Sequence, residues 1–149
     1  MEMFDIGLRL CAAALAGVAL GLNRDLHGKP TGVRTLGLVG LGSALAVMAA
    51  AELGDAAAAS RVMQGIVTGI GFLGAGVIVR AGKGFHIHGL TTAATTWLTA
   101  CVGIVCAAAA WRIVAVGLVL ALVVLVCGGP FEKWVHRQFP GHEDPEPPH

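Results

Sequence analysis

Charge is what this chain has least of. Only 13% of its 149 residues are Asp, Glu, Lys or Arg, and the formal net charge is +1. A soluble domain of this size needs a charged surface to stay dispersed, and too few charges are present to make one. The ten Lys and Arg are not gathered into one basic face, which argues against a nucleic-acid-binding module. Tyrosine is absent, and three Trp with five Phe are too few for a rich aromatic belt at a membrane interface. The four cysteines, Cys11, Cys101, Cys106 and Cys127, lie in apolar stretches without C-x-x-C spacing. They read as small packing residues rather than as a redox pair or metal site. The N-terminus lacks a basic first region, since Glu2 and Asp5 precede the first apolar run. That run is therefore expected to be retained as a membrane span rather than cleaved as a signal peptide. No nucleophile, base and orienting group can be assembled from these residues, so no enzyme is expected.

What fills the chain instead is apolar sequence. It is 56% hydrophobic with mean hydropathy +0.77. Five uncharged stretches stand out: Leu10–Asn23, Thr35–Ala51, Val62–Val79, Gly84–Trp111 and Ile113–Phe131. Each is close to, or can be extended to, the roughly 20 residues a helix needs to cross a bilayer. The fold expected is all-α, a polytopic membrane bundle of about five transmembrane helices within residues 1–129. The predicted helices cover about 4–22, 35–52, 62–79, 90–109 and 112–129, and 130–149 is read as a short, largely disordered cytoplasmic tail. No internal repeat is evident, so an inverted-repeat transporter within one chain is not supported, whereas a homo-oligomer can still form a pathway between subunits. Counting Lys and Arg in the connections gives the orientation. Arg24, Lys29, Arg34, Arg80, Lys83, Lys133 and Arg137 fall on one side, and Arg61 and Arg112 on the other. The positive-inside rule then predicts N-out and C-in.

An ionisable or polar residue in or beside a span is a functional candidate by default. The first loop is the richest segment, with Asn23, Arg24, Asp25, Lys29, Arg34 and Thr35 as a cytoplasmic polar cluster and Gly28, Pro30 and Gly32 fixing turns. It reads either as a topology-setting basic loop or as a site for an anion or acidic partner, with Asp25 the expected intramolecular partner of Arg34. On the outer side Glu2, Asp5, Glu52 and Asp55 converge in sequence with Arg9 and Arg61. This is either a hydrated rim, with Arg9 paired to Asp5 or Glu52, or a Mg²⁺ contact for which Glu52 and Asp55 are the candidates. No other cofactor is expected, and His86 and His88 lack the further ligands a metal needs.

The run Gly69-Ile-Gly71-Phe-Leu-Gly74 spells G-x-G-x-x-G, but it sits in an uncharged stretch with no sign of a strand, so a dinucleotide site is not indicated. Gly65, Gly69, Gly71, Gly74 and Gly76, with Gly17 and Gly21 in the first span, read better as helix-packing positions, because small residues let backbones approach closely in lipid. A local helix break exposing carbonyls to an ion is the alternative. Thr91, Thr95 and Thr99 share one face of the fourth span. They either line a polar path or bond their own helix's carbonyls.

Together these segments resemble the membrane domain of the MgtC/SapB family. The resemblance rests on Gly21-Leu-Asn-Arg24, Gly28-Lys-Pro-Thr-Gly-Val-Arg-Thr35 and Leu38-Val-Gly-Leu-Gly-Ser43. It continues through Gly65-Ile-Val-Thr-Gly-Ile-Gly-Phe-Leu-Gly-Ala-Gly76 and His88-Gly-Leu-Thr-Thr-Ala-Ala94 to Trp97. It implies a multi-pass protein of the bacterial inner membrane, linked to Mg²⁺ homeostasis, growth at low Mg²⁺ and survival inside host cells. The virulence-associated member is understood to act on the F-type ATP synthase and membrane energetics rather than to carry Mg²⁺. By this resemblance the chain reads as a short member without the C-terminal cytoplasmic domain of longer ones. Two function classes follow. One is a regulatory protein working by contact with other membrane complexes, such as the ATP synthase. The other is a small oligomeric Mg²⁺ or H⁺ transporter or channel.

Overall fold

A computed structural model describes residues 2–54, 56–80 and 89–138. Among them are five α-helices and no strand: α1 (Met3–Leu26), α2 (Val33–Glu52), α3 (Ala56–Arg80), α4 (Leu90–Ala107) and α5 (Trp111–Gln138). All five contain a window long and apolar enough to cross a bilayer.

The helix ends follow from local chemistry. α1 runs four residues past its expected end at 22 and closes in a Schellman turn, with Gly28 left-handed at φ 61°. There the Lys29 N–H donates to the Arg24 carbonyl and the Gly28 N–H to the Asp25 carbonyl, both at 3.0 Å. α3 starts six residues earlier than expected, because Ala57, Ala58 and Ala59 are strong helix formers. α4 ends in the same way as α1, but with Ala109 in the left-handed position at φ 54°. The three-residue turn 108–110 then leads straight into α5. α5 continues through Pro130 to Gln138, so residues 130–138 are helix rather than disordered tail. Proline costs one backbone donor in a helix already nucleated, and the rings of Phe131 and Trp134, three residues apart, stack at 6.0 Å beyond it. Residues 139–149 lie outside the described residues.

α4 is the central element and touches all four other helices. α1 packs most extensively on α2, and α3 and α5 flank the bundle without touching each other among the described residues. The core is built from small side chains. Ala13, Ala16, Ala44 and Cys106 cluster with Val47 and Met48 between α1, α2 and α4. Leu20 and Leu36 form a second cluster with Ala121 of α5. α3 and α5, by contrast, bury little of their spans within the chain. Exposed Phe72, Leu73, Val119, Leu120 and Val124 are positioned for lipid or for another helix.

Candidate functional site

Among the described residues, the α1–α2 junction holds the most buried charge. Arg24 sits in the last turn of α1 and is 6% exposed. Its Nη2 donates to the hydroxyl of Thr92 in the first turn of α4, and among the described residues its buried Nε has no hydrogen-bond partner. A guanidinium at this depth is tolerated only with a firm acceptor, so the pair ties the end of α1 to the start of α4. In the sequence Thr92 stood only within the His88–Ala94 motif and was not read as a site residue. The available signal was an arginine closing a long apolar helix, which demands an acceptor from elsewhere.

Asp25, the next residue, turns the other way. Its Oδ2 accepts the Val33 N–H at 3.0 Å, satisfying one of the open first-turn donors of α2. The fit needs glycine: a Cβ on Gly32 would lie 1.8 Å from Asp25 Oδ1. Gly21 admits the same strand of loop, since its Cβ would meet Val33 Cα at 2.6 Å. Asp25 therefore braces α2 instead of pairing with Arg34. Asn23 contributes its carbonyl to His27 Nδ1 at 2.7 Å. Lys29 is exposed. Arg34 and Thr35 are exposed in the first turn of α2, and among the described residues neither side chain makes an ion pair or hydrogen bond. The polar cluster expected from the sequence is thus divided between a buried tie, a loop brace and a free basic edge.

The glycines divide as well. Gly17 packs onto α2, where an added Cβ would come within 2.3 Å of the Leu36 carbonyl oxygen. Gly74 faces α4, with Ala93 Cβ at 3.4 Å. Gly65, Gly69, Gly71 and Gly76 meet nothing within 4 Å, so they make no close packing inside the chain. The reason is position: α3 flanks the bundle, and this stripe turns away from it. An equally tight crossing involves two glycines not read from the sequence as packing positions, Gly40 and Gly103. A Cβ on Gly103 would lie 2.3 Å from the Gly40 oxygen, and one on Gly40 would lie 2.6 Å from the Ala13 oxygen.

On the α4 face, Thr91 is exposed, whereas Thr95 and Thr99 are buried. The hydroxyls of Thr95, Thr96 and Thr99 donate to the carbonyls of Thr91, Thr92 and Thr95 at 2.7, 2.9 and 2.8 Å. At the opposite end, Arg9 pairs with Asp5 at 2.7 Å and donates to the Ala107 carbonyl at 2.8 Å. The cation thus satisfies one of the open carbonyls at the C-terminus of α4 and favours its dipole. Glu52 is exposed at the end of α2. Asp55, His86 and His88 lie outside the described residues, as does Lys83. Among the described residues no three His, Cys, Asp or Glu are grouped as metal ligands.

The model of the MgtC family matches residues 10–134, which takes in the Arg24–Thr92 tie and both glycine crossings. The chain belongs to the MgtC family. Among its relatives, Protein SrpB of Synechococcus elongatus is 44% identical across 70% of this chain and 64% of that protein. Protein MgtC of Salmonella typhimurium is 41% identical across 71% of this chain and 45% of that protein. Uncharacterized protein slr0014 of Synechocystis is 34% identical across 93% of this chain and 58% of that protein. The chain therefore spans roughly half the length of these MgtC-family relatives. No solved structure matches it. Family membership and the five apolar helices together make it a multi-pass membrane protein.

Proposed function

We propose that this MgtC-family chain is a regulatory protein of the bacterial inner membrane, tied to Mg²⁺ homeostasis and membrane energetics, that acts by docking its helices on other membrane complexes. The observation that carries this reading is the outward face of α3. Gly65, Gly69 and Gly76 stand open there, beside exposed Gln64 and Thr68. Small residues let a second helix come close, and an amide or hydroxyl in an apolar medium gains from a partner across that contact. A second copy of the chain, or a larger complex such as the F-type ATP synthase, would be the partner. The interior supports the same reading. Thr95, Thr96 and Thr99 spend their hydroxyls on their own helix, and Gly40 and Gly103 close the α2–α4 crossing.

The test is ion flux in liposomes that contain only this protein, with Mg²⁺ and H⁺ measured separately. The regulatory reading expects no flux above protein-free vesicles, together with loss of function at low Mg²⁺ when Gly69→Leu blocks the α3 face in cells that still express the protein. Sustained flux of either ion would replace it with the alternative, a small oligomeric transporter or channel.

A further inference from the structure

A groove runs between α2 and α3. Its volume is about 660 Å³. Arg34 and Thr35 stand at one end, and Leu38, Val39 and Gly42 continue along α2. Ile70 and Leu73 form the α3 wall. The far end is Ser43, whose hydroxyl already donates to the Val39 carbonyl at 2.8 Å and asks for no further partner. Gly42 leaves the floor open, because an added Cβ there would meet nothing within 4 Å.

Three properties of this groove converge. The first is charge. Arg34 sits at the membrane edge, and the carboxylate of neighbouring Asp25 is used on the Val33 N–H. The Arg34 guanidinium and the Thr35 hydroxyl, both without a partner among the described residues, form a donor pair that suits a phosphate. The second is polarity. Beyond that mouth the lining is apolar, as an acyl chain requires. The third is length. From residue 34 to residue 43 a helix rises about 14 Å. A single leaflet of hydrocarbon is about 15 Å deep, half of the core thickness. A protein helix seated here would need neither a cation at one end nor a stop at the bilayer midplane.

We infer that the α2–α3 groove is a binding site for an acidic phospholipid, its phosphate held at Arg34 and Thr35 and one acyl chain lying along Leu38, Gly42 and Leu73. The lipid fills the wedge that α2 and α3 leave between them and neutralises the free cation at its mouth. The site adds a lipid ligand to the docking function and does not depend on it.

The experiment uses the full chain in nanodiscs of phosphatidylcholine with phosphatidylglycerol, released into the gas phase so that retained lipid is weighed by native mass spectrometry. The wild type is expected to retain phosphatidylglycerol in preference to phosphatidylcholine. Arg34→Gln should lower that preference about fivefold, the effect of one juxtamembrane cation on an anionic lipid. Gly42→Leu, whose Cβ would meet nothing within 4 Å, should fill the floor and reduce retention of both lipids. Circular dichroism confirms that both variants keep their helices. Equal retention of the two lipids by the wild type would overturn the proposal. So would undiminished phosphatidylglycerol retention in Arg34→Gln or Gly42→Leu, or displacement of the lipid by a second copy of the chain.

Discussion

At the scale of single residues, two arginines of one loop do opposite things. Arg24 is drawn into the bundle because Thr92 offers it an acceptor, while Arg34, ten positions on, keeps its charge at the edge. In sequence both stand at the edge of an apolar run with glycines nearby, and the difference that told was that Arg24 closes its run while Arg34 opens one. The Arg24–Thr92 pair makes a sharp prediction. Thr92→Val keeps the shape but strands a buried cationic donor, which should cost about 1 to 2 kcal/mol. The midpoint of thermal unfolding in detergent should fall accordingly. Adding Arg24→Leu to that variant should restore part of the loss, because two apolar partners leave nothing unsatisfied. An unchanged midpoint in Thr92→Val would show that the tie contributes nothing.

At the scale of helices, the same residue type has two uses. Glycine at 40 and 103 lets α2 and α4 touch backbone to backbone, whereas glycine at 65 and 69 opens a face that nothing in the chain covers. Gly103→Ala forces a methyl to within 2.3 Å of the Gly40 oxygen, so the helices must separate. A loss of about 2 kcal/mol, typical of overpacking a close contact, is expected. Gly65→Ala meets open space and should leave the stability of the single chain unchanged. Comparing the two by unfolding in detergent separates bundle packing from outward packing, and equal losses would contradict the assignment. The sequence showed that glycines recur at helical spacing. It did not show which of those stripes point inward, because Gly40 and Gly103 belong to different helices that meet only in three dimensions.

At the scale of the whole molecule, orientation is the open quantity, and charge decides it. The basic residues of the α1–α2 junction and of the end of α5 lie on the side that should face the cytoplasm. A reporter fused in the α2–α3 turn at Gly54 is therefore expected outside, and one fused after Gln138 inside. The reverse result would put the mouth of the Arg34 groove at the outer leaflet. The number and placement of the helices agree with the apolar stretches, with the larger differences at ends such as Ala56 and Gln138. Those ends are set by alanine propensity and by helix continuation, which a hydropathy reading does not weigh.

Hydropathy and length by themselves determined that this chain crosses a membrane about five times. A bilayer core offers the backbone no hydrogen-bond partner, so a single apolar stretch of about 20 residues crosses it as a helix that satisfies its own backbone groups. Order of motifs determined the family. What only the tertiary structure decided is which face of each helix turns inward: Gly103 onto Gly40, Arg24 onto Thr92, and the α3 stripe away from both. In water the apolar face of a helix announces its own direction. In lipid the inside and the outside of a bundle are equally apolar, so the choice falls to small-residue fit and to single polar ties between helices far apart in sequence.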